Sequence, residues 1–437
     1  MITKNNIYNL IKDIKTLINS DEFKNKHCEK ATFTRNRKLS FRDVVYFILG
    51  LPRKSLPTEL DLYFDGKNIS LSKQAFSKAR YQISENAFKD IFNLTTNIDS
   101  LANKVNTYDG FRIFAVDGST VSIPHNPNTE KTFGIYKNNH SEYPMARLTA
   151  LYDVTNDLIV DAKFTGTDIG EREHAIDLLS SPALLNNSKS KNLVIFDRGY
   201  PSRALIHELE NKGFYYIIRC YTSFISCVNE CPKGDHIVMD YHQNRSTKLR
   251  VIKETVEDSP YILISNLFET HQNKEYLYHL YQKRWEVETK YGKLKTHIRV
   301  ENFSGRNPRA IYQELYAALF ISNLSALIKS AVESDFESSL ITSKHKYQLN
   351  RSYIVGVVCR YIKKLLYLFD YKKKLGILMS KIKKLKSIIR LTKLASSAKA
   401  FSLLFYTCSE AIAASLPMSY FAASSPSGSD IDNTSIY

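Results

Sequence analysis

Three acidic residues of this chain stand where metal chemistry could use them. Asp117 closes the apolar run FAVDG, Asp197 closes NLVIFD within NLVIFDRGY, and Glu288 lies in the charged run YQKRWEVETKYGKLK. The first two runs read as buried strands and the third as a helix. Along that helix Tyr281, Arg284, Glu288 and Lys295 are spaced by three, four and seven residues and share one face. One aromatic, two cations and one acid beside two strand-end aspartates suit the cutting of a phosphodiester. That reaction needs an activated water and charge neutralisation on the attacked and leaving oxygens, which two metal ions roughly 3.5–4 Å apart supply. Small, hard Mg2+ takes oxygen ligands and keeps several waters, so a few carboxylates and the scissile phosphate complete its shell. On this reading Asp117 bridges two Mg2+ ions, Asp197 and Glu288 each hold one, and Mn2+ can substitute.

Each residue also has a plainer reading. A lone strand-end aspartate is a turn-former, and an Arg–Glu pair four apart on a helix is a surface ion pair worth a few tenths of a kcal/mol. The three carboxylates together with the basic face favour the metal reading. Nearby acids fit it less well: Asp153 and Asp157 flank a Thr-Asn hairpin turn, and Glu286, two residues from Glu288, points about 200° around the helix. Arg284 as a planar fork and Lys295 as a point charge can grip phosphates, while Tyr281 can donate to one or simply pack. Arg198 and Arg219 each follow a predicted strand near the same edge and are further phosphate contacts. Trp285, the only tryptophan, reads as core, and Gly118 and Gly199 let the chain turn sharply.

The spacing Y-x2-R-x3-E-x6-K in a basic chain with two upstream strand-end aspartates resembles the YREK signature of the DDE transposases of the insertion-sequence-four group. The resemblance spans roughly residues 30 to 330 and includes the DGS at Asp117, the DRGY at Asp197, the YIIRC strand and ENFSGRNP. It implies a ribonuclease-H-like (retroviral-integrase-like) α/β catalytic domain with a β-rich insertion. It also implies a Mg-dependent DNA endonuclease and strand transferase that cuts and pastes at terminal inverted repeats. The partners implied are double-stranded DNA, as repeat ends and as target, and a second copy of the chain in a synaptic homodimer. Tyr281, Arg284 and Lys295 would then contact the DNA backbone near the cut. A non-mobile nuclease on the same fold, or a decayed element that only binds DNA, stays open as an alternative.

The elements that must position these residues follow in order. Residues 1–108 read as a helical DNA-binding domain: FRDVVYFILG has helical apolar spacing, and SLSKQAFSKARYQISENAFKDIFN carries Lys73, Lys78, Arg80 and Lys89 behind capping serines. Two short helices with a turn between them suit DNA reading. From 109 to 330 the period changes. FRIFAVD, ARLTALYDV and DLIVDAKFTG form a meander, and EREHAIDLL, NLVIFD, SRALIHELENKG and FYYIIRC then alternate helix and strand. In a ribonuclease-H-like order the first and fourth strands are neighbours, which sets Asp117 beside Asp197. Residues 221–272 read as a separate β-rich insertion, 331–394 as a lysine-rich helical region, and 395–437 as a Ser/Ala-rich, partly disordered tail.

Composition agrees. The 437 residues carry 61 Lys and Arg against 44 Asp and Glu, a net charge of +17 that attracts a polyanion such as DNA. The polar start and the lack of an unbroken apolar run of eighteen lead to the expectation of a soluble cytoplasmic, nucleoid-associated protein with no membrane role. Six scattered cysteines without a CxxC pair suggest no structural zinc.

Overall fold

A computed structural model describes residues 2–29, 32–33, 38–50, 55–65, 70–101, 105–137, 142–185, 190–256, 258–269, 271–334, 347–367, 370–384 and 386–388. The described residues other than 255–256 and 258–259 belong to one compact unit. The tail expected at 395–437 lies outside the described residues.

The N-terminal part is helical, with α1 (Lys4–Asn19), α2 (Asp21–His27), α3 (Phe41–Leu49), α4 (Leu56–Phe64), α5 (Lys73–Arg80), α6 (Asn86–Asn93) and α7 (Ile98–Leu101). Next come β1 (Phe111–Ser122), α8 (Pro127–Phe133), a small ladder of β2 (Tyr136–Lys137) with β3 (Glu142–Tyr143), β4 (Met145–Asp153) and β5 (Leu158–Gly166). Then follow α9 (Glu171–Leu178), α10 (Pro182–Leu185), β6 (Lys191–Phe196), α11 (Arg203–Asn211) and β7 (Tyr215–Cys220). Further on come α12 (Ser226–Glu230), β8 (Gly234–His242), β9 (Arg245–Val256), β10 (Ser259–Ser265), α13 (Lys274–Gln282), α14 (Trp285–Thr296), α15 (Pro308–Ser334), β11 (Tyr347–Leu349), α16 (Arg351–Tyr367), α17 (Tyr371–Lys384) and β12 (Lys386–Ile388).

One sheet runs in the order β5-β4-β1-β6-β7-β10-β9-β8. The meander β1, β4, β5 is antiparallel, whereas β6 lies parallel to β1 and β7 parallel to β6. That half has the strand order and directions expected of a ribonuclease-H-like sheet. β10 pairs antiparallel with β7, so the insertion continues the same sheet instead of standing apart as expected. The continuation covers the β7 edge, whose backbone groups would otherwise lie open to another chain.

The other edge, β5, is held by α15. The Asn323 amide accepts from Ile159 N at 2.9 Å and donates to Ile159 O at 2.7 Å. By length and hydropathy α15 could cross a membrane, a property its interspersed polar residues conceal in a search for unbroken apolar runs. In the fold it is a core helix, with 89% of its most apolar window buried.

The expected pair of DNA-reading helices is interrupted by α4, and one of its cations serves the interior. Arg80 is 1% exposed and donates to Glu314 Oε1 at 2.9 Å, Gln313 Oε1 at 3.1 Å, Ser304 Oγ at 3.2 Å and Ala310 O at 3.2 Å. A buried guanidinium is tolerable only when paired and hydrogen-bonded in this way. Gly305 of the SGRNP run has no room for a side chain, because a Cβ there would lie 2.4 Å from Ala310 Cβ.

Candidate active site

The parallel register fixes the two aspartates. Phe111 to Ala115 pair with Lys191 to Ile195 in step, so two further residues along each strand bring Asp117 level with Asp197. Adjacent strands lie about 4.8 Å apart. β6 ends at Phe196, whereas β1 continues to Ser122 against β4, so Asp197 stands at the opening beside a strand that runs on. A turn closes behind it, with Tyr200 N donating to Asp197 O at 3.1 Å and Arg172 Nε to Gly199 O at 2.8 Å.

The single helix expected through Tyr281 and Lys295 is two helices, α13 and α14, joined at Lys283 and Arg284. Across the joint the amides of Lys283, Arg284, Glu286 and Val287 bond three residues back instead of four. This tightening advances the face but keeps Arg284 beside Glu288, whose Oε1 lies 2.7 Å from Arg284 Nη2. Arg284 is 4% exposed. Burial opposes its charge, and the Tyr281 oxygen, Asp197 and Glu288 more than offset that, raising its pKa above the ordinary value.

Helix α14 is anchored to β1 at the level of the first aspartate. Tyr291, one turn past Glu288, donates its hydroxyl to Asp117 O at 2.6 Å and accepts from Ala150 N at 2.9 Å. Asp117 and Ala150 are cross-strand partners, so the tyrosine oxygen is inserted between backbone groups of one pair.

Asp117 titrates unusually high. Burial is the largest cause; Arg284 pulls the other way, Glu288 raises it further, the Gly118 amide lowers it and Glu171 raises it, and the result is about 7. Glu171, absent from the sequence-based site, opens α9 and lies over Gly118, where a Cβ would sit 2.7 Å from its carboxyl. Arg147 Nε, 3.5 Å away, and the Tyr200 hydroxyl, 3.3 Å away, hold it. Its only sequence signal was an acid in a first helical turn, which has an ordinary explanation in the helix dipole.

Among the described residues no group of three or more His, Cys, Asp and Glu side chains is gathered closely enough to hold a metal ion as it stands. The donor chemistry nevertheless fits a hard divalent cation. Asp117, Asp197 and Glu288 offer oxygen alone, and the carboxylates Glu288 and Glu171 drive the buried Asp117 toward its protonated form, a repulsion that a cation relieves.

The other expected site residues fall as follows. Tyr281 is buried and donates to Asp197 Oδ1 at 3.2 Å. Arg219 lies within β7, not after it, and covers the ring of Tyr261 at 4.7 Å. Arg198 is exposed, with its guanidinium 5.4 Å from the Tyr221 ring. Lys295 is one-third exposed and 3.9 Å from Glu301, which accepts from Ser122 N at the far end of β1. Trp285 is half-buried beneath the Arg284 guanidinium at 5.3 Å. Asp153 and Asp157 do more than turn the chain. Asp153 is buried on Arg112 at 2.6 Å, and Asp157 binds Lys290 Nζ at 3.1 Å behind α14. Glu286 faces that rear group, where burial raises its pKa against the pull of Arg351. Cys28, Cys220, Cys227 and Cys231 are free thiols.

Residues 108–324 match the family model of the transposase DDE domain. The match covers just under half of the 437 residues. Both strand-end aspartates, the joint at Arg284 and the Glu288 helix lie inside the matched segment. Among solved structures the chain is similar to the piggyBac transposase, in a cryo-EM synaptic complex with hairpin DNA. Identity is 12% and the TM-score 0.45, over 90% of this chain and 88% of that one. No curated protein matches the sequence.

Proposed function

We propose that the protein is a cut-and-paste transposase of an insertion sequence, of the YREK-bearing insertion-sequence-four type, acting as a homodimer on terminal inverted repeats. The observation that carries this reading is the level placement of Asp117 and Asp197 on adjacent parallel strands, with the Glu288 helix anchored at the same level through Tyr291. Asp117, Asp197 and Glu288 would hold Mg2+, two ions in all, with Mn2+ able to substitute. Bound there, the metal supplies an activated nucleophile and neutralises charge on the attacked phosphate.

The chain's own residues do the rest. Lys295, Arg198 and Arg219 lie along the strand-end side and suit gripping the DNA backbone. Arg284 is turned toward the acids and can swing a fork of donors to a phosphate once DNA competes for it. Tyr281 holds one Asp197 oxygen in place. Water first attacks the end phosphate and the 3′-oxygen leaves as a hydroxyl, and that hydroxyl then attacks the next phosphate in the same way.

The test is incubation of the full chain with repeat-end DNA and a second duplex. Joined product supports the transposase, whereas nicks without joining favour a nuclease. Binding without either indicates a decayed element.

A further inference from the structure

Behind α14, on the side of the turn between β4 and β5, a cavity of about 30 Å³ lies where α14, α15 and the start of α16 meet. Asp157, Lys290, Lys293, Ser325, Lys329 and Arg351 are among its lining residues. Two of these are donors with nothing to donate to. Ser325 is 4% exposed, and its hydroxyl is buried without a hydrogen-bond partner. Lys293, half-buried, has neither a hydrogen bond nor a close ion pair among the described residues. The charge is unbalanced as well. Lys290 donates to Asp157 O at 2.9 Å and Oδ1 at 3.1 Å, Arg351 lies 3.6 Å from Asp157 Oδ2, and Lys329 lies 2.6 Å from Glu333. With Glu286, which also acts on Lys293, three acids stand against four cations. Burial first and Arg351 next push the Lys293 pKa down to about 8. Helix α16 begins at Arg351 on the cavity wall, so the positive end of its dipole adds to the surplus.

We propose that this cavity binds one small monovalent anion of halide type, such as chloride, held by Lys293, Arg351 and the Ser325 hydroxyl. A water could satisfy Ser325 but would leave the surplus positive charge in place, whereas an anion answers both. Size sets the class of ligand. A volume of about 30 Å³ is room for one or two water-sized atoms, which admits a halide and excludes a nucleotide or a whole phosphate with its four oxygens. One surplus charge matches one monovalent ion. Lys290 lies two residues past Glu288 and beside Tyr291, so an anion bridging α14 to α15 and α16 steadies the helix of the third carboxylate from the rear. The site does not depend on which reaction takes place at the front of that helix.

The experiment follows thermal melting of the full chain as sodium chloride replaces sodium gluconate at constant ionic strength, gluconate being too large for the cavity. The melting temperature is expected to rise by about 2 °C and then to saturate, as binding to the folded state requires. Ser325→Ala and Lys293→Gln should each remove most of that rise, and Lys293→Arg, which keeps the charge, should retain it. In gluconate alone Ser325→Ala should melt no lower than the parent, because it removes an unpaired buried hydroxyl. Melting well below the parent there would show that the hydroxyl already has a partner, and it overturns the proposal. An equal chloride-dependent rise in every variant, or none in the parent, overturns it too. So does a rise with sulfate that Ser325→Ala and Lys293→Gln lose in the same way, since the site would then take an oxyanion. If Lys293→Gln instead lowers the salt slope of DNA binding by about one unit and chloride has no effect, the lysine grips a DNA phosphate and the anion site is wrong.

Discussion

The hydroxyl of Tyr291 lies 2.6 Å from the carbonyl oxygen of Asp117 and ties the helix of the third carboxylate to the strand of the first. The same oxygen accepts from Ala150 N and also contacts Leu148 O at 3.2 Å, so the anchor engages two strands. Tyr291→Phe keeps the ring in its buried site but leaves Ala150 N and Asp117 O without this partner. The expected result is a loss of about 1–3 kcal/mol in stability, read by urea unfolding. Nicking should fall by about ten- to a hundredfold, the usual cost of loosening the residues behind a ligand. Unchanged nicking in a folded Tyr291→Phe protein would show that Glu288 does not depend on the anchor.

Asp117 makes stability depend on pH. Its folded pKa, pushed up to about 7 chiefly by burial, lies above the 3.8 of an ordinary aspartate. The folded protein therefore binds the extra proton between those values, and its contribution to stability is full near pH 4 and lost as pH rises through about 7. Asp117→Asn should match the parent near pH 4 and melt a few degrees above it at pH 8, by scanning calorimetry. Mn2+ affinity of the parent should rise over the same window, since metal and proton compete for the carboxylate.

The Arg80 to Glu314 pair, with both side chains 1% exposed, joins the N-terminal helices to the core helix. Arg80→Ala takes the guanidinium away from a buried carboxylate, Glu314, which still accepts from the Ser304 hydroxyl and the Gly305 amide. The expected loss is about 3–5 kcal/mol in chemical denaturation. Gly305→Ala should also destabilise through its clash with Ala310. A near-neutral Arg80→Ala would mean that this residue is free to face DNA after all.

Salt dependence separates cations that touch phosphate from acids that hold metal. Lys295→Ala should lower the slope of log affinity against log salt by about one unit. Asp197→Ala should keep the parent slope. The same slope in both proteins contradicts the placement of Lys295 on the backbone.

Much of the half that carries Asp117 and Asp197 was legible because its strands are short, apolar and bounded. FRIFAVD, ARLTALYDV, NLVIFD and FYYIIRC all became strands of the main sheet, and the level placement of Asp117 and Asp197 follows from that order. The joint at Arg284 was not legible, because Lys283 and Arg284 keep right-handed helical backbone angles and neither Gly nor Pro marks the change. The merging of the insertion with the sheet was hidden too, since pairing of β10 with β7 joins residues about 45 apart and leaves no local pattern. Glu171 and Tyr291 reach the site through tertiary packing alone, and types and spacing along one chain do not encode that. Arg80 looked like a surface cation, and only Gln313 and Glu314, far along the sequence, reveal otherwise.

Metal-dependent nicking of repeat-end DNA by Asp117→Ala, Asp197→Ala, Glu288→Ala and Glu286→Ala, measured beside end binding, tests the central claim most directly. The account predicts that the first three fall to background while binding DNA nearly as the parent does, and that Glu286→Ala still nicks. A Glu288→Ala protein that nicks like the parent, with Glu286→Ala inactive, would contradict the assigned site.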